Sequence, residues 1–124
     1  MPIRTDSLEM DLLQGSYSEL ALRYPNYDVN GNYVNTNITG AVITCKFRKA
    51  SNQPVLITLS TATSTIEITA ATTGHFKLKF PSATTAALTE RQDCILYGHV
   101  EVTLAGETIR THQIMAYYSP ELNY

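Results

Sequence analysis

Three histidines, two cysteines and eight tyrosines are the side chains through which this 124-residue chain could do chemistry. His75, His99 and His112 each fall inside a stretch that alternates apolar and polar residues. None stands at a metal-ligand spacing, such as H-x-x-x-H, from another His, Cys or carboxylate, so no metal site is expected. His75 and His99 alternate outward with charged or polar neighbours, and all three histidines are expected as solvated residues on a strand face. Cys45 and Cys94 fall on predicted inward faces of two different strands. Two buried free thiols are the expectation in a reducing compartment, with a disulfide between them left as the alternative. No base lies near either in sequence, so a catalytic thiol is not expected.

No nucleophile elbow, Walker loop or dinucleotide fingerprint occurs. Asp28-Val29-Asn30-Gly31-Asn32 lacks the ligand spacing and terminal Glu of a calcium loop. Asn37-Ile38-Thr39 is a glycosylation sequon that would matter only in a secreted chain. With no acid, base and nucleophile to assemble, the chain is not expected to be an enzyme or to hold a cofactor.

Tyrosine offers rigid area with a polar tip, which suits binding surfaces. The eight tyrosines cluster toward the two ends of the chain. Residues expected to contact a partner are Leu8, Met10 and Leu12 near the N-terminus, Tyr27 and Tyr33 in a polar loop, and Tyr117, Tyr118, Leu122 and Tyr124 at the C-terminus. The stretch from Tyr117 onward reads as a docking tail that cannot easily fold back after Pro120. Deleting residues 117–124 is therefore expected to leave the fold intact.

The elements that would position these residues are strands. Asp28-Val29-Asn30-Gly31-Asn32-Tyr33 is a turn rich in residues that tolerate positive φ. Shortly after it, Ala41, Ile43, Cys45 and Phe47 alternate with Val42, Thr44 and Lys46, the period of a strand with one buried face. Further strands are expected at 18–24, stopped by Pro25, and at 55–60, 65–69, 75–80, 94–104 and 108–118. Ile57, Leu59, Ile66 and Ile68 punctuate the Thr-rich run at strand spacing, so it reads as two short strands, not a linker. In residues 75–80, Phe76, Leu78 and Phe80 should point inward. Residues 81–89 break the pattern and read as a helical turn with Ser82 as N-cap. Ala105-Gly106-Glu107 joins the last two strands into a hairpin. Residues 6–13 are ambiguous between a short helix and an extended arm that pairs with a neighbour.

One domain of this length should bury roughly two thirds of the surface its unfolded chain exposes. Nine basic and eleven acidic residues give a net charge of −2 without clustering, so no nucleic-acid partner is expected. No apolar run approaches the ~18 residues of a membrane span, and no membrane partner is expected. The N-terminus lacks the basic start and apolar core of a secretory leader, which points to synthesis in the cytoplasm.

Several segments together resemble a known module: Leu13-Gln14-Gly15 with Leu20 and Leu22, the turn at Asn30-Gly31, Ile38-Thr39-Gly40-Ala41 opening a strand that ends at Arg48, Thr73-Gly74-His75-Phe76-Lys77-Leu78, Thr85-Ala86-Ala87-Leu88, and the Ala105-Gly106-Glu107 hairpin. Over residues 13–116 the chain resembles the immunoglobulin-like β-sandwich module of tailed-phage virion proteins, of the kind at the N-terminus of the upper baseplate protein. The resemblance implies an all-β, single antiparallel sandwich (15–118) with one short helical crossover, an N-terminal arm (1–14) and a C-terminal tail (119–124). Immunoglobulin domains carry an inter-sheet disulfide in comparable positions to Cys45 and Cys94. Here the Trp that packs on it is absent and Gln92 stands two residues before the second Cys, where a tyrosine is usual. The implied function is that of a non-enzymatic bacteriophage virion structural protein, without catalytic residues or cofactor. It would be a tail/baseplate or fibre-attachment adaptor, made in the host cytoplasm and located in the virion. It would be present in multiple symmetric copies, forming a homo-oligomeric ring or docking on tail, baseplate, fibre or capsid proteins. A capsid decoration (cement) or neck/collar protein is the alternative. A host-surface carbohydrate-binding module is a weaker one, against which the absence of Trp counts.

Overall fold

The computed structural model describes residues 5–120. The chain runs through β1 (Asp6–Leu13), β2 (Ser18–Arg23), β3 (Val42–Arg48), β4 (Ile57–Ser60), β5 (Ile66–Ala70), a 3-10 turn (Ala71–Thr73), β6 (His75–Phe80), α1 (Ser82–Ala86), β7 (Cys94–Leu104) and β8 (Glu107–Ser119). Two sheets form an all-β sandwich: β1-β8-β7-β3-β4 and β2-β6-β5. With β1 as the first strand and β4 in the C′ place, β2, β6 and β5 take the B, E and D positions opposite the G-F-C-C′ order of β8, β7, β3 and β4, the connectivity of an immunoglobulin sandwich, while β1 joins the β8 edge.

Alternation drives the burial. Phe76, Leu78 and Phe80 point inward as expected, against Ile43, Cys45 and Phe47 of the facing sheet. Phe47 and Phe80 meet edge to face across the sandwich, with centroids 5.5 Å apart. Each such fully buried side chain contributes about 1.5–3 kcal/mol relative to exposure. Beneath this pair lies Gly98 of β7. A Cβ there would stand 2.4 Å from the Phe47 ring, so the glycine makes room for the aromatic.

Four expectations change. Residues 6–13 take the extended alternative and not the helix, but the strand they pair with is the chain's own β8, in parallel, from Asp6 opposite His112 to Leu13 opposite Ser119. Alternation explains why, since Leu8, Met10 and Leu12 turn toward the core while Ser7, Glu9 and Asp11 face out. The sandwich thus has one parallel pair in an otherwise antiparallel design. The tail does not begin at Tyr117, because β8 continues to Ser119 and buries Tyr118 to 1% exposure. Helix α1 is capped by Pro81 without a side-chain bond, and Ser82 is already inside it, because the ring of Pro81 presets the entry.

His112 is the fourth. A β-bulge places Val100 opposite His112 and Glu101 opposite Arg110, leaving Thr111 as the extra residue. Both Thr111 and His112 therefore point inward and are buried. Thr111 Oγ1 and His112 Nδ1 lie 2.7 Å apart, and the imidazole stands edge-on to Phe76 at 5.7 Å. Burial pushes the His112 pKa down to about 4, against the smaller pull of the Asp6 carboxylate.

The cysteines are both free, and the disulfide alternative falls on distance. Cys45 is paired with Val100, whereas Cys94 sits six residues away along the same β7 strand. That is ~20 Å of extended chain. A bridge needs Cα atoms within about 7 Å.

The hairpin is tighter than expected. Its loop is Ala105-Gly106 alone, at φ 53° and 82°, so both central residues adopt the positive φ that a type I′ turn requires.

Candidate interaction face

The two outer faces of the sandwich differ in how they handle charge. On the three-stranded sheet, Lys77 lies 3.1 Å from Glu19, and Lys79 lies 2.7 Å from Glu67. Lys77 also reaches Glu67 at 4.0 Å. The Glu19 carboxylate is held below the usual range first by the Tyr17 hydroxyl and then by Lys77, and that of Glu67 is held down by Lys79. This face satisfies its own charges.

The five-stranded sheet does not. Strand register lays its outward side chains in rows that cross β3, β7, β8 and β1. One row reads Arg48, Tyr97, Met115, Glu9; the next reads Lys46, His99, Gln113, Ser7. In a third, Thr44 neighbours Glu101, which neighbours Arg110. Lys46, Arg48 and Arg110 form no ion pair among the described residues; Lys49, at the rim, is bound to Glu90 at 3.2 Å. A depression of about 680 Å³ lies over the β3–β7 half, with Lys46, Arg48, Tyr97, His99 and Arg110 in its walls.

His99 sits at the centre of this face. Its Nδ1 is buried and makes no hydrogen bond. Burial lowers its pKa, and the charges of Arg110 and Arg48 add to the shift while Glu101 opposes it. The ring is thus only partly exposed, unlike the solvated histidine expected from alternation. The face also carries a gradient of charge. Lys46 and Arg48 occupy the β3 side, and Glu9 and Asp11 the β1 side.

The residues expected to contact partners scatter over different roles. Leu12, Tyr27 and Tyr118 are buried in the chain's own core, and Leu8 and Met10 are half-buried against it. Tyr33 is exposed but stacks on Tyr27 at 4.6 Å and lies under the Arg23 guanidinium. Both tyrosine hydroxyls donate to Asp6 Oδ2, at 2.6 Å from Tyr27 and 3.3 Å from Tyr33. They staple the 25–39 loop to the start of β1. Within that loop Asp28 Oδ1 accepts from the amides of Asn30 and Asn32, so the carboxylate serves the turn itself. Tyr117 belongs to the five-stranded face, where its hydroxyl donates to Glu9 at 3.0 Å. Leu122 and Tyr124 lie outside the described residues.

Sequence reasoning passed over Tyr97, Arg48, Arg110, Gln113 and Met115. Alternation marks Arg48, Tyr97, Gln113 and Met115 as outward and the bulge turns Arg110 outward beside them, but only strand order brings them together. Compared with known protein families and with curated proteins, the chain matches no family model and no curated sequence.

Proposed function

We propose that this chain is a non-enzymatic structural protein of a bacteriophage virion, an adaptor in the tail, baseplate or fibre attachment that is used in several copies. The contrast between the two sheet faces carries the reading. One face neutralises its charges internally, while on the other Lys46, Arg48 and Arg110 form no ion pair among the described residues, beside a half-covered His99. Unpaired cations on a flat sheet cost little in water and gain when a partner supplies the opposite charge, which favours a role in contact over one in turnover. The resemblance to phage sandwich modules supplies the setting.

The test is composition of the particle. Virions grown from the genome that encodes the chain are purified, stripped of heads and quantified by mass spectrometry. The chain should co-fractionate with tails at a fixed ratio that survives a salt wash. Its absence from washed particles would overturn the reading, and retention with the heads would favour a decoration or neck protein instead. One observation favours a second reading, the carbohydrate-binding module. Tyr97 and Tyr117 project from diagonal positions on the same open face, as a sugar platform requires. Tyrosine fluorescence that shifts with oligosaccharide and is lost in Tyr97→Ala would support it.

A further inference from the structure

We infer that the outer face of the five-stranded sheet pairs with the same face of a second copy, about a two-fold axis that runs parallel to the strands between β7 and β8. The inference deepens the multi-copy part of the proposal above and rests on it only for its setting.

Strand register is what selects this partner. A two-fold axis lying across the strands would set β3 over β3, basic on basic. An axis along the strands between β7 and β8 sets β3 over the partner's β1 and β7 over its β8. Each row then meets the same row reversed. In the first row, Arg48 faces a Glu9 and Tyr97 faces a Met115. In the next, His99 faces Gln113, whose amide has both a donor and an acceptor for the exposed edge of the imidazole. In the third, Glu101 faces Arg110. Cation meets anion, thioether meets aromatic, and amide meets imidazole. Packed sheets cross at about 30°, which slants the outer rows and brings Lys46 toward the partner's Glu9. The match is isologous, since every contact occurs twice.

Area sets the strength. With the axis between β7 and β8, β4 lies outside the overlap; four strands at ~4.8 Å spacing and about seven residues at ~3.3 Å make a shared face of roughly 440 Å². Two copies bury roughly 900 Å², below the usual size of a stable specific interface, so the dimer is weak and reversible. Its charged contacts lie toward the rim, so it weakens in salt.

Sedimentation equilibrium of the full chain, up to ~1 mM and at low salt, tests this. The wild type should form a reversible dimer that loosens at high salt. Lys46→Glu with Arg48→Glu makes the face wholly acidic on its flanks, and Glu9→Lys with Asp11→Lys makes it basic. Each double variant alone should dimerise at least about tenfold more weakly, and a one-to-one mixture should recover a heterodimer. Glu101→Arg and Arg110→Glu form an independent second pair with the same expected mixing behaviour, should either first variant fold poorly. Circular dichroism melting confirms that the variants are folded. A monomeric wild type overturns the inference, even if particles contain the chain and the adaptor reading stands. A dimer or larger ring that both reversals leave unchanged overturns it too. Recovery on mixing supports it even if the chain is absent from virions.

Discussion

The hydroxyl of Tyr118, near the end of β8, donates to the carbonyl of Glu90 at 3.2 Å, in the connection between β6 and β7. In immunoglobulin sandwiches a tyrosine near the start of the sixth strand ties down the corner that precedes it. Here the last β-strand does a comparable job from across the sheet, helped by Gln14, whose Nε2 donates to the Leu88 carbonyl at 2.7 Å. Tyr118→Phe keeps the ring and loses one bond, and should cost about 1 kcal/mol. In urea the midpoint should fall with an unchanged slope.

Chain length probes the same residue more severely. A chain ending at residue 120 retains all of β8 and should unfold cooperatively like the full chain. One ending at 116 loses the β1 and β7 pairing of Tyr117 and Tyr118 and a ring buried to 1%. It should lose at least the 3–5 kcal/mol typical of removing a large aromatic from a core. Equal melting temperatures for the two truncations would refute this placement of Tyr118.

Parity along β8 shows how much of this was legible. Ile114, Ala116 and Tyr118 share one parity, which marks Tyr118 as core despite its place near the terminus. Ile109 and Thr111 share the other, and that switch is the trace of the bulge that turns Thr111 inward beside His112. Local signals of this kind also set out β3, β6 and the Ala105-Gly106 hairpin. Pairings between distant segments were not legible. The parallel union of β1 with β8 joins Asp6 to His112, and no local preference of residues 6–13 encodes that contact. The candidate face shares this origin. Lys46 and His99 read individually as outward, but their adjacency follows from the strand order.

Gly98 gives a prediction from packing alone. Gly98→Ala drives a methyl into Phe47, whose ring is fully buried and held by Phe80. Overpacking of this sort costs about 1–3 kcal/mol. Adding Phe47→Leu should recover part of that loss, since the smaller side chain vacates the contact. Strictly additive effects in a double-mutant cycle would argue against the clash.

The thiols should differ in reactivity. Burial pushes the Cys45 thiol up to about 12, and burial also raises that of Cys94, though less completely enclosed. The thiolate is the reactive form. In the folded protein at neutral pH a chromogenic disulfide reagent should label Cys94 slowly and Cys45 only on unfolding. Two thiols should appear in denaturant with or without prior reduction. No thiols before reduction and two after it would mean that Cys45 and Cys94 had bonded to each other.

His112 predicts how stability responds to pH. Its folded pKa, about 4, lies below the ordinary value of 6.5. Above pH 6.5 the imidazole is neutral in both states and contributes nothing to the pH dependence. As pH falls below 6.5 the unfolded chain takes up a proton that the folded chain refuses, so stability drops until about pH 4 and then levels. The full span corresponds to roughly 3 kcal/mol. Glu19 and Glu67, whose carboxylates are lowered, lose their stabilising contribution as pH falls through a more acidic window, so the two effects separate on the pH axis. Urea unfolding between pH 7 and 5 should therefore show a declining midpoint in the wild type. In His112→Gln the decline over that interval should flatten, even though the variant starts from a lower stability because the Phe76 contact and the Thr111 bond are altered. A slope unchanged by the substitution would mean that another group takes up the proton.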